Sequence, residues 1–361
     1  MRLQDIIAGI HPLRQSAMCE AKARLDTLIK PIGSLGRIED LAIQLAGITG
    51  NVIGSYSRKA TVIFCADNGV YEEGVSAAPQ VITLTQSLNF QKGVTGIGVL
   101  SKLSGSDMVV VDIGINSDLV SDHMLNRKIR KGTSNLAKMP AMSREEALRA
   151  LAVGFDQAGS LHAAGYTVIG TGEMGLGNTT TASLVILSLT GCTVDDAAGK
   201  GAGLSTEAFL HKKQVIQRAY AMHRPDSDDP IDVLAKVGGF DIAGIAGLFL
   251  GAAYYRMPVV VDGVISAAAA LAAYRLCPDA KLYMVPSHLS EEPGYALAMR
   301  AMSLAPYFHL GMRLGEGTGC PFAFLLIDAA ERVIRDMATF SQANMENSAL
   351  VDIREEEKDA K

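Results

Sequence analysis

Short β-branched runs alternate along this chain with much longer stretches whose apolar residues recur at helical spacing. That alternation restricts the fold to βαβ units built around a parallel sheet, because parallel neighbours need a long crossover and a helix supplies it. Strands are expected at Thr61–Ala66, Met108–Ile113, Thr167–Ile169, Pro258–Val261 and Lys281–Val285. Helices are expected at Thr83–Leu103, Ser143–Ala164, Asn178–Leu189, Thr206–Met222, Asp241–Tyr255, Val264–Leu276 and Glu291–Leu304. The fold class is therefore α/β, a doubly wound, mostly parallel, Rossmann-like sheet. The many Gly and Ala residues within the helical patterns predict close packing between layers rather than low complexity.

Residues 1–30 and the segment from 328 to 361 read as helices without partner strands, which predicts a small helical domain made from both ends around a large α/β domain over 31–327. Asp352–Lys361 is charge-dense with little to bury and reads as a solvated tail. The longest apolar stretch, Ile242–Tyr255, is shorter than the roughly 20 residues that span a bilayer. It reads as a buried helix, and no membrane association is expected. A net charge of -5 with scattered charges offers no patch for nucleic acid. Five widely separated cysteines suggest neither a disulfide framework nor a zinc site, and the opening MRLQDIIAGIHPLR lacks the features of a signal peptide. Together these point to a cytoplasmic location.

Polar residues follow the expected strands at their carboxyl ends: Asp67, Asp112, Glu173, Asp262 and Ser287. Open α/β sheets bind ligands on that rim. For Asp112, followed by Ile113 and Gly114, a turn role fits better. Gly170–Ser183, GTGEMGLGNTTTAS, is read as a loop opening a helix at Asn178, a place where backbone N–H groups and the helix dipole receive a phosphate. Gly170, Gly172 and Gly175 also spell G-x-G-x-x-G, so an NAD(P)-dependent oxidoreductase is an alternative, as is a turn needed only for packing. Glu173 inside that turn speaks against a pyrophosphate. A second glycine cluster, Gly199–Thr206, precedes Lys212, either a phosphate-binding cation or part of a solvated face with Lys213. Ser287 and Ser290 open a further helix, suited to oxyanion contacts, and His288 with Glu291 and Glu292 lacks metal-site spacing and reads as capping. Glu316 stands among Gly315, Gly317 and Gly319, which would hold its carboxylate in a turn against a pocket; a surface-loop glutamate is the alternative.

KPIGSLGRIEDLA (Lys30–Ala42), ADNGV (Ala66–Val70), GEMGLGNTT (Gly172–Thr180), VGGFDIAGIAG (Val237–Gly247), VVVDGVISAAAAL (Val259–Leu271), PSHLSEEPG (Pro286–Gly294) and RLGEGTG (Arg313–Gly319) occur in one order over most of the chain. In these motifs the chain resembles the nicotinate-nucleotide:dimethylbenzimidazole phosphoribosyltransferases. The resemblance implies transfer of 5-phosphoribosyl from nicotinate mononucleotide to an aromatic base, with inversion, giving the α-ribotide of a cobamide lower ligand. It implies Glu316 as general base, with Glu173 and Asp262 near the anomeric carbon. Gly175, Asn178, Thr179, Thr180, Gly201, Lys212 and Ser290 would hold the phosphoribosyl group, and Ala78, Gln86 and Leu314 the acceptor. Neither a metal nor a cofactor is implied, and the partner is a second chain, in a homodimer or in a heterodimer with a paralogue. Asn68, Ala78, Gly203, Cys320 and Pro321 depart from the commoner family pattern. Ala78 removes a hydroxyl that could bond an azole nitrogen, so phenolic acceptors such as phenol and p-cresol are expected beside dimethylbenzimidazole.

Overall fold

The computed structural model describes residues 2–201, 203–346 and 351–354. Six parallel strands form one sheet: β1 (Lys59–Ala66), β2 (Asp107–Gly114), β3 (Leu125–Asn126), β4 (Val168–Met174), β5 (Val259–Val261) and β6 (Met284–Pro286). Their order is β3-β2-β1-β4-β5-β6. All eight residues of β1 are buried, as expected of a strand covered on both faces, which is why its sequence runs apolar instead of alternating. The five strands read from the sequence are present. The sixth, β3, is two exposed residues long, too short to leave a pattern. The order reverses between β1 and β4, so the chain diverges to either side there and opens a crevice at their carboxyl ends.

The helix Phe240–Tyr254 is buried along nearly its whole length and lies across the sheet against the helix Arg144–Ala163. Glycine permits the approach. A Cβ on Gly154 would meet the Gly244 carbonyl oxygen at 1.8 Å, and one on Gly247 the Leu151 carbonyl oxygen at 1.8 Å. The small residues predicted to serve close packing thus set the spacing between two helices.

Two helical expectations need correction, and a further helix was not among them. Thr83–Leu103 is two helices, Val81–Gln91 and Gly96–Ser104, because Gly93 turns the chain at φ +65° and Thr95 caps the second helix through its hydroxyl. Pro230–Val237 is an unanticipated helix, whose start was written in Asp229-Pro230: the Asp229 carboxylate accepts from the Ile231 and Asp232 N–H groups. The C-terminal helix begins at Cys320, not near Asp328, with Pro321 in its first turn. It shares a core with Gln15–Asp26 and Arg37–Thr49, where Ala21, Leu25, Leu41, Leu45, Phe324 and Ile327 pack together. Val168, Val260 and Val285, from the sheet, join the same cluster. The tail expected over Asp352–Lys361 lies, from residue 355 on, outside the described residues. Among the described residues no helix is long and apolar enough to cross a membrane.

Candidate active site

The carboxyl ends of β4, β5 and β6 deliver Glu173, Asp262 and Ser287–His288 to one rim, and a cavity of about 270 Å³ opens over it. The glycine-rich stretch beneath differs from its reading as a loop from Gly170 onward. Strand β4 continues to Met174, so Gly170 and Gly172 are sheet positions. They are glycines because neighbours press on the strand: a Cβ on Gly170 would stand 2.9 Å from Cys320, and one on Gly172 would stand 2.7 Å from the Glu316 carbonyl oxygen. Two of the three glycines of G-x-G-x-x-G therefore cannot wrap a pyrophosphate, which removes the basis for the dinucleotide alternative.

Glu316 stands in a turn in which Gly315, Glu316 and Gly317 all have positive φ, at +83°, +63° and +88°. For a glutamate that backbone costs on the order of 1 kcal/mol, so the surroundings must impose it. Asp262 does so from the end of β5, its two carboxylate oxygens accepting from the Gly317 N–H at 3.0 Å and the Gly319 N–H at 2.7 Å. Glu173 accepts from the Glu316 N–H at 3.3 Å, and a Cβ on Gly315 would strike its Oε1 at 2.3 Å. The turn is thus moulded onto two strand-end carboxylates. Glu316 itself is 7% exposed, which excludes a surface-loop role. Its Oε1 accepts from the Gln86 amide at 2.6 Å, whereas its buried Oε2 has no protein partner among the described residues.

Three carboxyls below this turn share a small volume. Burial, reinforced by the neighbouring Asp241 carboxylate, pushes Glu173 up to about 8 against the hydrogen bond from Asn178. Burial likewise raises Asp241 to about 6 and Asp262 to about 7, in the latter against backbone hydrogen bonds from Gly319 and Gly317. Asn178 joins the first two: its side-chain amide donates to both Glu173 and Asp241.

At the other end the helix Asn178–Thr190 points its N-terminus at the cavity. Lys212 is fully buried, so the solvated-face alternative fails for it, while Lys213 is half-buried and reaches out to the exposed Asp195. The Lys212 ammonium donates to the Thr179 hydroxyl at 2.8 Å and to the Gly199 carbonyl at 2.9 Å. Burial pulls it down to about 8, and Glu292 works in the opposite sense. Glu292 also accepts from the Gly201 N–H at 2.9 Å, fixing the glycine turn that carries the predicted Gly201.

Of the residues singled out from the sequence, Glu316, Glu173, Gly175, Asn178, Thr179, Gly201, Ser290, Ala78, Gln86 and Leu314 line one cavity. Asp262, Lys212 and Thr180 are not on its wall. Asp262 sits behind the Glu316 turn and Lys212 behind Thr179, while Thr180 is fully buried and its hydroxyl has no partner among the described residues. Asp112 takes the turn role, accepting from the Gly114 and Ile115 N–H groups. Sequence reading passed over Asp241, which is wholly buried, and Glu292 as a support of the glycine turn; Asn68, noted there as a departure from the family pattern, is wholly buried as well. The signals for Asp241 were its place in the VGGFDIAGIAG motif and a charge opening an otherwise apolar helix.

A phosphoribosyltransferase family model matches residues 10–345. The nicotinate-nucleotide–dimethylbenzimidazole phosphoribosyltransferase of Clostridium perfringens is 48% identical over 355 residues, 98% of either chain. That of Clostridium acetobutylicum is 49% identical over 346 residues, covering 96% of this chain and 98% of its own. The crystal structure of CobT from Thermus thermophilus superposes with a TM-score of 0.89 at 38% identity, over 92% of this chain and 100% of that one. With the family model spanning most of the chain and relatives this similar over their full length, the chain belongs to the nicotinate-nucleotide–dimethylbenzimidazole phosphoribosyltransferase family and is a pentosyltransferase.

Proposed function

We propose that this chain transfers 5-phosphoribosyl from nicotinate mononucleotide to an aromatic lower-ligand base, dimethylbenzimidazole or a phenolic such as phenol or p-cresol, forming an α-ribotide for cobamide synthesis and releasing nicotinate. The observation that carries this reading is the Glu316 carboxylate, held in a strained turn with one oxygen anchored by Gln86 and the other without a protein partner among the described residues, on a cavity wall that also bears the apolar Ala78, Ile82 and Leu314. A base so placed can take the proton that an azole N–H or a phenol O–H must lose on attack.

The leaving pyridinium is already cationic, so its departure builds positive charge on the ribose, which carboxylates stabilise more in the transition state than in the ground state. Glu173, on the wall, serves that role once ionised, and positive charge arriving beside a carboxyl that burial holds up to about 8 favours that ionised form. Asp262 acts through the Glu316 turn that it holds. The N-terminus of Asn178–Thr190, with Gly175, Asn178, Thr179, Gly201 and Ser290 on the wall and Lys212 behind Thr179, suits the 5-phosphate; Thr180 supports that helix start from within. Ala78 offers no hydroxyl to an azole nitrogen, which favours phenolic acceptors. We assign the activity to a dimer, of two copies or with a paralogue: Leu314 on the cavity wall and nearby Val81, Val94, Val99 and Leu103 present exposed apolar surface. We read the two ends of the chain as the small domain, with the helices Gln15–Asp26 and Cys320–Asp336 joined by Arg37–Thr49, and we place the enzyme in the cytoplasm.

The test is to incubate the purified chain with nicotinate mononucleotide and an equimolar mixture of dimethylbenzimidazole, adenine, phenol and p-cresol, identifying products by mass and anomeric NMR. Phenolic α-ribotides are expected among them. Exclusive use of dimethylbenzimidazole overturns the phenolic assignment, and absence of any ribotide from folded protein overturns the activity of the chain on its own.

A further inference from the structure

One polar side chain on the cavity wall has no part in the reaction as outlined. His288 follows β6 and is 2% exposed, yet it lines the cavity together with Gly263, Ser290 and Gly315. Its protonation can be worked out from its neighbours. The Ser287 hydroxyl donates to the Val261 carbonyl at 2.8 Å, which uses its one proton. Toward the His288 Nδ1, 3.0 Å away, the same oxygen can then only accept, so Nδ1 carries the hydrogen. The Asp262 carboxylate, 4.0 Å from Nδ1, favours that tautomer as well. Burial holds the imidazole down to about 4, so it is neutral at physiological pH. A neutral ring with its proton on Nδ1 has a bare lone pair on Nε2, and that nitrogen makes no hydrogen bond to the protein among the described residues.

An acceptor on the wall between Ser290 and the Glu316 turn suits a hydroxyl donor on the sugar that bridges phosphate and reacting carbon. We infer that His288 Nε2 accepts a hydrogen bond from the 2-hydroxyl of the bound ribose, making it a substrate-binding and specificity-determining residue. This rests on the proposed reaction for the identity of the sugar. Hydrogen bonds to the hydroxyl beside an anomeric centre strengthen as oxocarbenium character develops, and a neutral acceptor adds no positive charge to oppose it. The Ser287 relay, anchored on β5 through Val261, fixes the tautomer that the contact requires.

The test compares ribose 5-phosphate with 2-deoxyribose 5-phosphate by equilibrium binding, and nicotinate mononucleotide with its 2′-deoxy analogue by kcat/KM. Wild-type protein is expected to prefer the ribose forms by about tenfold, the worth of one hydrogen bond in a site shielded from water. His288→Asn keeps a donor toward Ser287 but has nothing at the Nε2 position, and is expected to abolish the preference by weakening the ribose forms alone. His288→Gln, which reaches that position with an amide oxygen, is expected to keep part of it. His288→Phe fills the ring's space and serves if the Asn variant does not fold. Variants that weaken ribose and deoxyribose forms equally, or that leave the preference intact, overturn the inference. A wild-type enzyme that makes no ribotide counts against the proposed reaction instead, and the sugar-phosphate preference still decides the role of His288.

Discussion

The two ends of the cavity are built on opposite plans. At the end proposed for the phosphate the cation, Lys212, is set behind the wall, with its ammonium already bonded to the Thr179 hydroxyl and the Gly199 carbonyl. At the end proposed for the acceptor the Glu316 carboxylate is on the wall itself, and one of its oxygens has no protein partner among the described residues. The difference separates binding from chemistry. A group that only holds an anion gains from being fixed and screened, whereas a group that must accept a proton needs an unsatisfied lone pair where the proton will be. Removing each charge should therefore damage different kinetic constants.

The largest effect is expected at Glu316. Glu316→Gln retains a partner for Gln86 and nearly the same shape but removes the base, so kcat should fall by about 10²–10⁴. Donor affinity, measured by titration with nicotinate mononucleotide, should change little. A variant with wild-type kcat would erase the contrast between the two ends.

Next comes Lys212. Lys212→Met keeps the length of the buried stem and discards the charge, leaving the Thr179 hydroxyl and the Gly199 carbonyl without their donor. Donor KM should rise by roughly tenfold to a hundredfold, as for loss of a charged hydrogen bond, with kcat much less affected. Equal losses in kcat and kcat/KM would mean that Lys212 acts in the transition state, and the division of labour would fail.

A smaller effect sharpens the picture of the acceptor end. Asp241 shares the Asn178 amide with Glu173, and burial raises its carboxyl to about 6. A carboxyl raised in the folded state contributes stability that is full below its unfolded value near 4 and is lost as pH rises through about 6. Asp241→Asn has no such loss, so its melting temperature relative to wild type should climb between about pH 4 and pH 6 and level off above that. A pH-independent difference would show that Asp241 does not titrate there. With one fewer carboxylate beside it, Glu173 should also titrate lower, moving the corresponding limb of the kcat profile toward acid.

What could be read from the sequence follows the same division. Residues that line the wall were found because ligand-facing turns need glycine, serine, threonine and exposed charge, and those types stand out: Gly175, Asn178, Thr179, Ser290 and Glu316. The layer behind the wall was harder. Asp262 was found as a strand-end acid, but its job of holding two backbone N–H groups of a turn some fifty residues later in the chain, at Gly317 and Gly319, is a matter of three-dimensional register. Asp241 was missed since one acid in an apolar helix looks like a boundary charge until Asn178 is seen against it. The glycines at 170 and 172 were assigned to a loop because the cause of their being glycine, the close passage of Cys320 and Glu316, lies almost 150 positions away. The sheet fared better, since burial on both faces writes itself into every strand long enough to show it.

The smallest expected effect comes from a residue chosen for its address. Lys212 and Lys213 are neighbours in one helix, and composition does not tell them apart. The helical turn of about 100° per residue sends one side chain inward to Thr179 and leaves the other half-buried, reaching outward at 2.8 Å to Asp195, a partner that is 79% exposed. A pair so wetted is worth less than about 1 kcal/mol. Lys213→Ala should therefore leave kcat and donor KM unchanged and shift stability by no more than that, measured by urea unfolding beside Lys212→Met. If Lys213→Ala raised donor KM as much as Lys212→Met does, the phosphate end would depend on the general positive charge of this helix, and the single buried ammonium behind Thr179 would lose its special standing.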